Sequence, residues 1–94
     1  MEYNLGVEPA EEVSLDEVMQ DNYDLIIYND DVNTFEHVIE SLVEVCDHNP
    51  LQAEQCAFII HHKGKCSVKR GSYDQLEPMC TSLLDRQLSA KIEA

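Results

Sequence analysis

The segment Asp24-Leu-Ile-Ile-Tyr-Asn-Asp-Asp-Val-Asn-Thr-Phe-Glu-His-Val-Ile39 reads as a strand, a turn and a helix start within sixteen residues. Leu25 to Tyr28 is a short apolar run with the β-branched and aromatic bias of a strand. Three polar residues, Asn29, Asp30 and Asp31, break it. Apolar residues then resume at helical spacing, with Phe35, Val38, Ile39, Leu42, Val43 and Cys46 on one stripe. Asn33, followed three residues on by Glu36, reads as a capping box that opens a helix over about Thr34 to Asp47. A tight acidic turn therefore joins strand to helix. Acceptor side chains gathered there, beside a buried element, suit recognition of a donor or a cation.

Downstream, Asn49 and Pro50 mark a second helix start, an N-cap followed by proline at the first helical position, with Gln52 completing a capping box. Ala53, Cys56, Ala57 and Ile60 lie at helical spacing, with Phe58 and Ile59 around the side, so this helix reads as well buried; Gly64 stops it. Cys66 to Lys69 reads as a short strand closed by Arg70-Gly71-Ser72. A third helix carries Leu76, Met79, Cys80, Leu83 and Leu84 on one face. Pro78 falls inside it and implies a late start or an irregular first turn, because proline removes a helical hydrogen bond. Leu88 to Glu93 alternates like a half-buried final strand. The order β-α-α-β-α-β, with short connections, predicts an α+β sandwich: a three-stranded, mostly antiparallel sheet packed against three helices.

Ninety-four residues make one small domain. Residues 24–94 form that domain, and residues 1–23 read as a flexible acidic arm containing Pro9, in which Val13, Leu15, Val18 and Met19 support at most one short amphipathic turn. There is no apolar run of about eighteen residues and no basic, apolar leader, which predicts a cytoplasmic protein with no membrane partner. Cys46, Cys56, Cys66 and Cys80 contain no C-x-x-C pair and read as reduced, mostly buried thiols. The net charge is −13, and residues 1–62 hold fifteen Asp and Glu but no Lys or Arg. Such a surface repels phosphate backbones, so no nucleic-acid partner is expected. It serves solubility, and equally attracts cationic partners such as free amines and basic protein patches.

Two motifs carry a resemblance. Tyr28-Asn29-Asp30-Asp31, followed after a few turn residues by a bulky apolar residue and Glu36, resembles the signature of the ClpS adaptors of the bacterial Clp protease. About thirty residues on, His61-His62-Lys63-Gly64-Lys65 resembles that family's second signature, a His followed by x-x-Gly-Lys. The likeness runs from about Asp24 to Glu93. It implies the α+β fold already read, a non-enzymatic adaptor without cofactor, and two partners. These are proteins exposing a free N-terminal Leu, Phe, Tyr or Trp (N-degrons), and a Clp AAA+ ATPase of the ClpA or ClpC type that the N-terminal arm engages. The alternative is an acidic interaction domain of the same fold that does not read N-termini.

The resemblance assigns the α-amino group to Asn29, Asp30 and His61. The chemistry suits it. An α-amino group has a pKa of about 8 and at neutral pH is an ammonium with three donors. A carboxylate, an amide oxygen and a neutral imidazole supply three acceptors, one of them charge-assisted. The resemblance also places a side-chain pocket on Asn33, Phe35, Val38, Ala57, Ile60 and Leu88. Phe35 stands where many members have Met, Ala57 where a larger apolar residue is usual, and Asn33-Thr34 where Thr-Pro is usual.

Each residue also has a plainer reading. Asn29 and Asp30 serve a turn, as Asp31 does through nearby backbone amides; His61 and His62 sit at a helix C-terminus; Phe35 and Val38 are core. Two other chemistries compete. A metal site from His37, His48, His61, His62 and the cysteines lacks H-x₃-H or C-x₂-C spacing, and His61 and His62 point about 100° apart. A thiol hydrolase of Cys66, His61 and Asp30 lacks an oxyanion-hole segment, and Cys66 starts a core strand.

Overall fold

The computed structural model describes residues 23–94. Residues 1–22, and with them all of the acidic arm except Tyr23, lie outside the described residues. Three strands and three helices follow in the order β1 (Tyr23–Tyr28), α1 (Phe35–Cys46), α2 (Pro50–Lys63), β2 (Lys65–Gly71), α3 (Tyr73–Asp85) and β3 (Ser89–Glu93). The sheet order is β2-β1-β3 and both pairings are antiparallel, so the predicted α+β architecture holds.

β1 is the centre of the sheet, and its alternation decides what it buries. Leu25 and Ile27 are fully buried while Asp24, Ile26 and Tyr28 are half-buried. One face of the strand therefore supplies the core and the other does not. Against Leu25 and Ile27 pack Val38, Leu42 and Cys46 of α1, Ala53, Ala57 and Ile60 of α2, and Leu76, Cys80 and Leu83 of α3.

The β1–β2 register shifts between Leu25 and Ile26, which face Lys69 and Ser67, leaving Val68 as an extra, bulged residue. A bulge takes a carbonyl out of the ladder. Buried His48 answers it, donating from Nε2 to the Val68 oxygen at 2.7 Å. His48 is thus a structural histidine pinning the α1–α2 connection to β2.

The helix ends depart from the sequence reading in part. Asn49 caps α2 as expected, its side chain accepting from the Gln52 N–H at 2.8 Å. The N-cap of α1 is Thr34 rather than Asn33, its Oγ1 accepting from the His37 N–H at 3.0 Å. α3 runs unbroken through Pro78. The proline and Asp74, whose carbonyl loses its helical donor, are both exposed, so water can replace the missing bond. The expected burial of α2 is also corrected. Only its stripe Ala53, Ala57 and Ile60 is buried, while Leu51, Phe58 and Ile59 are 63%, 56% and 40% exposed.

Candidate functional site

The chain leaving β1 is fastened on three sides, and each fastening comes from a different element. The Asn29 N–H donates to the Gly64 carbonyl at 2.8 Å. Gly64 is the C-cap of α2, at φ +96°, and its own N–H returns to the Ile60 carbonyl at 2.9 Å. This is the physical link between the two sequence motifs. The glycine ends the helix, its carbonyl receives the strand exit, and His61 in the last turn is thereby held beside the turn at Asn29 and Asp30.

Asp30 makes the turn itself. Its Oδ1 accepts from the backbone N–H groups of Val32 and Asn33, both at 2.9 Å. The turn-making role expected of Asp31 therefore falls to Asp30. The Asn33 amide is spoken for as well. Its Nδ2 donates to both carboxylate oxygens of Asp30, at 3.1 and 2.9 Å, and to the Gln87 carbonyl at 2.8 Å. The Asn33 side chain thus serves the turn and the chain at Gln87, while Thr34, the residue directly before α1, caps the helix. Ser89 at the start of β3 completes the set, its Oγ donating to Asp30 Oδ2 at 3.3 Å. These donors, the Asn33 N–H foremost, hold the Asp30 carboxyl below its ordinary pKa of 3.8, against a smaller opposing effect of burial.

Above this turn lies a cavity of about 500 Å³. Asn29, Asp30, Asn33, Phe35, Val38, Ala57, Ile60 and His61 all line it, so eight of the nine predicted positions share one enclosure. Asp31 and Thr34 line it too; neither was singled out for the pocket, although both lie within the same turn. Leu88 is not among the lining residues. It is 4% exposed in the core, just before β3, and its N–H is bonded back to the Leu83 carbonyl at 3.0 Å, which turns it inward. The lining has two carboxylates, no Lys or Arg, and apolar side chains from α1 and α2. Such an enclosure suits a cationic donor group attached to an apolar side chain.

The two competing chemistries find no support in the geometry. Burial, reinforced by the neighbouring Cys56, pushes the Cys66 thiol up to about 11, the opposite of what a nucleophile needs. No cluster of three His, Cys, Asp or Glu able to hold a metal occurs among the described residues. His37 is bonded to the Arg86 carbonyl at 2.9 Å, and His48 to Val68 as above. No described helix is long and apolar enough to cross a membrane.

Gly64→Ala should destabilise the fold by about 1–2 kcal/mol, since a Cβ meets no atom there and the cost is the left-handed backbone alone. Chemical denaturation checks this; an unchanged midpoint would show that the α2 cap does not depend on glycine.

A sequence model of the ATP-dependent Clp protease adaptor protein ClpS matches residues 19–92 of this chain. No curated protein matches it significantly. Among solved structures, Agrobacterium tumefaciens ClpS2 bound to L-phenylalaninamide is similar in fold, with a TM-score of 0.70, 21% identity, and coverage of 76% of this chain and 93% of that one. With the strand order and helix sequence already described, the match over nearly the whole described region makes this chain a member of the ClpS family, whose members are adaptors of the Clp protease rather than known enzymes.

Proposed function

We propose that this protein is a cytoplasmic adaptor that holds the free N-terminus of proteins beginning with Leu, Phe, Tyr or Trp and delivers them to a Clp unfoldase–protease through a ClpA- or ClpC-type ATPase. One observation carries the reading: acceptors and apolar side chains line a single cavity, Asn29, Asp30 and His61 together with Phe35, Val38, Ala57 and Ile60. An ammonium seated among the acceptors leaves its own side chain facing the walls. The ligand of the Agrobacterium protein supports this. L-phenylalaninamide carries a free α-amino group, a benzyl side chain and a carboxyl blocked as an amide, the chemistry of a chain's first residue.

In this reading Asp30 supplies charge more than vacant lone pairs. Its depressed pKa keeps it ionised at neutral pH, and Oδ2, with fewer donors than Oδ1, is the oxygen that can still accept. Asn29 and Asp31 are exposed and free to contribute further oxygens. The same crowding of Asp30 favours the second reading, an acidic interaction domain in which the turn is purely structural.

Fluorescent peptides beginning with free Leu, with N-acetyl-Leu and with Glu separate the two. Tight binding of the first alone is expected. Equal or absent binding of all three would leave only the interaction domain.

The size of Ala57 bears on selectivity. Ala57 is 2% exposed and sits on the cavity wall. Ala57→Met places a flexible chain in the cavity, and should weaken peptides beginning with Trp or Phe about tenfold relative to those beginning with Leu. An unchanged ranking would mean that Ala57 does not bound the ligand's side chain.

A further inference from the structure

Phe35 has two sides. One wall of the cavity is Phe35, and Phe35 is also a wall of a separate groove of about 460 Å³ completed by Glu54, Gln55, Phe58 and Ile59 of α2. The helix turn that sends Ala57 and Ile60 inward to the cavity thus sends Phe58 and Ile59 outward to the groove. Phe35, Phe58 and Ile59 are 37%, 56% and 40% exposed, and Phe35 lines both the groove and the cavity.

We infer that this groove receives the side chain of the third residue of the same bound chain, and that it selects an apolar one. The inference rests on the N-terminal reading proposed above. The register follows from geometry. Groups packed on opposite faces of a ring at contact distance lie about 7 Å apart. In an extended chain, neighbouring side chains point to opposite sides, while first and third share a side, separated by about 6.6–6.8 Å. With the first side chain in the cavity, the third reaches past Phe35 and the second faces water. The chemistry follows from the lining. Phe35, Phe58 and Ile59 reward apolar burial, whereas Glu54, in a chain without Lys or Arg before Lys63, repels an acidic side chain.

The test compares C-terminally labelled peptides Leu-Ser-Ser-Ser, Leu-Leu-Ser-Ser, Leu-Ser-Leu-Ser and Leu-Ser-Asp-Ser, each beside its N-acetylated twin. Leu at the third position should tighten binding about five- to tenfold over Ser, the gain from half-burying one such side chain, and Asp there should weaken it. Phe58→Ser and Ile59→Ser should each reduce the third-position gain and leave Leu-Ser-Ser-Ser unaffected. Two variants are needed because Phe58 packs on the His62 ring, at 4.0 Å between centroids, and His62 contacts His61. Both side chains are exposed, so neither change threatens the core. Affinity indifferent to the third residue, a gain at the second position instead, or a gain that survives both substitutions would overturn the inference while leaving N-terminal binding in place. Equal binding of acetylated twins would instead remove the N-terminal reading, and this one with it.

Discussion

Asp30→Ala should abolish most ligand binding and also cost stability, and the two losses can be separated. The alanine removes the ionised partner of the ammonium. It equally strips the Val32 and Asn33 N–H groups and the Asn33 amide of their acceptor. The first loss is a charge-assisted bond, about 100-fold in affinity; the second is a lost turn acceptor, about 1–2 kcal/mol of folding free energy. Asp30→Asn divides them. Its side-chain oxygen can still accept from the two backbone amides, so it should keep the larger part of that stability and lose only the Asn33 Nδ2 bond to the second oxygen, while the charge is gone and affinity should fall nearly as far as in the alanine variant. Peptide anisotropy and urea denaturation on the same three proteins give both numbers. If Asp30→Asn binds a free-Leu peptide like the parent, Asp30 is a turn residue only and the ammonium is held elsewhere.

That dual role illustrates which parts of this molecule were legible in the sequence. Features decided within a few residues could be read. Asn49 with Pro50 opens α2 as expected, because the cap satisfies an N–H only three residues away. The apolar run Leu25 to Tyr28 was readable as a strand and lies in β1, although a continuous run could not say that Leu25 and Ile27 are the pair facing the core. What depended on distant partners could not be read. Asn33 and Thr34 are both good capping residues, and nothing local to the sequence showed that Thr34 would cap while the Asn33 amide reaches a carbonyl at Gln87, 54 positions away. The bulge at Val68 exists only relative to β1, and His48 finds its partner only once that bulge has formed. Phe58 and Ile59 are apolar enough to be core, but periodicity cannot tell whether another element covers them. Leu88 alternates in step with β3, yet its N–H is taken by the end of α3. For the candidate site, the turn and the His-x-x-Gly motif were visible separately. Their joining through the Asn29 N–H and the Gly64 carbonyl is a tertiary contact.

The acid limb of binding should belong to His61. Three protonation states must coincide for the proposed clamp: the ligand's amine protonated, Asp30 ionised, and the His61 imidazole neutral, since a cationic ring has no lone pair to offer an ammonium and repels it. The amine, with a pKa of about 8, gains its proton as pH falls toward neutrality, which favours binding. Asp30 does not limit the range from pH 8 to 5, because the Asn33 and Val32 amides hold its pKa below 3.8. Its contribution to folding has the matching sign: present above the ordinary carboxylate value and lost only as pH falls through the lowered one. Between pH 8 and 5, then, the fold keeps its turn, and a protonated His61 ring, having lost its acceptor, should cost about 10- to 100-fold in affinity. His61→Gln retains a neutral acceptor at all these pH values and should flatten the profile, with any remaining acid loss confined to the range where Asp30 protonates. His62→Gln controls for the neighbouring ring, which meets His61 edge-on at 5.2 Å, and should leave the limb where it is. A limb that survives His61→Gln, or disappears with His62→Gln, would take His61 out of the clamp and leave Asn29 and the two aspartates to hold the ammonium.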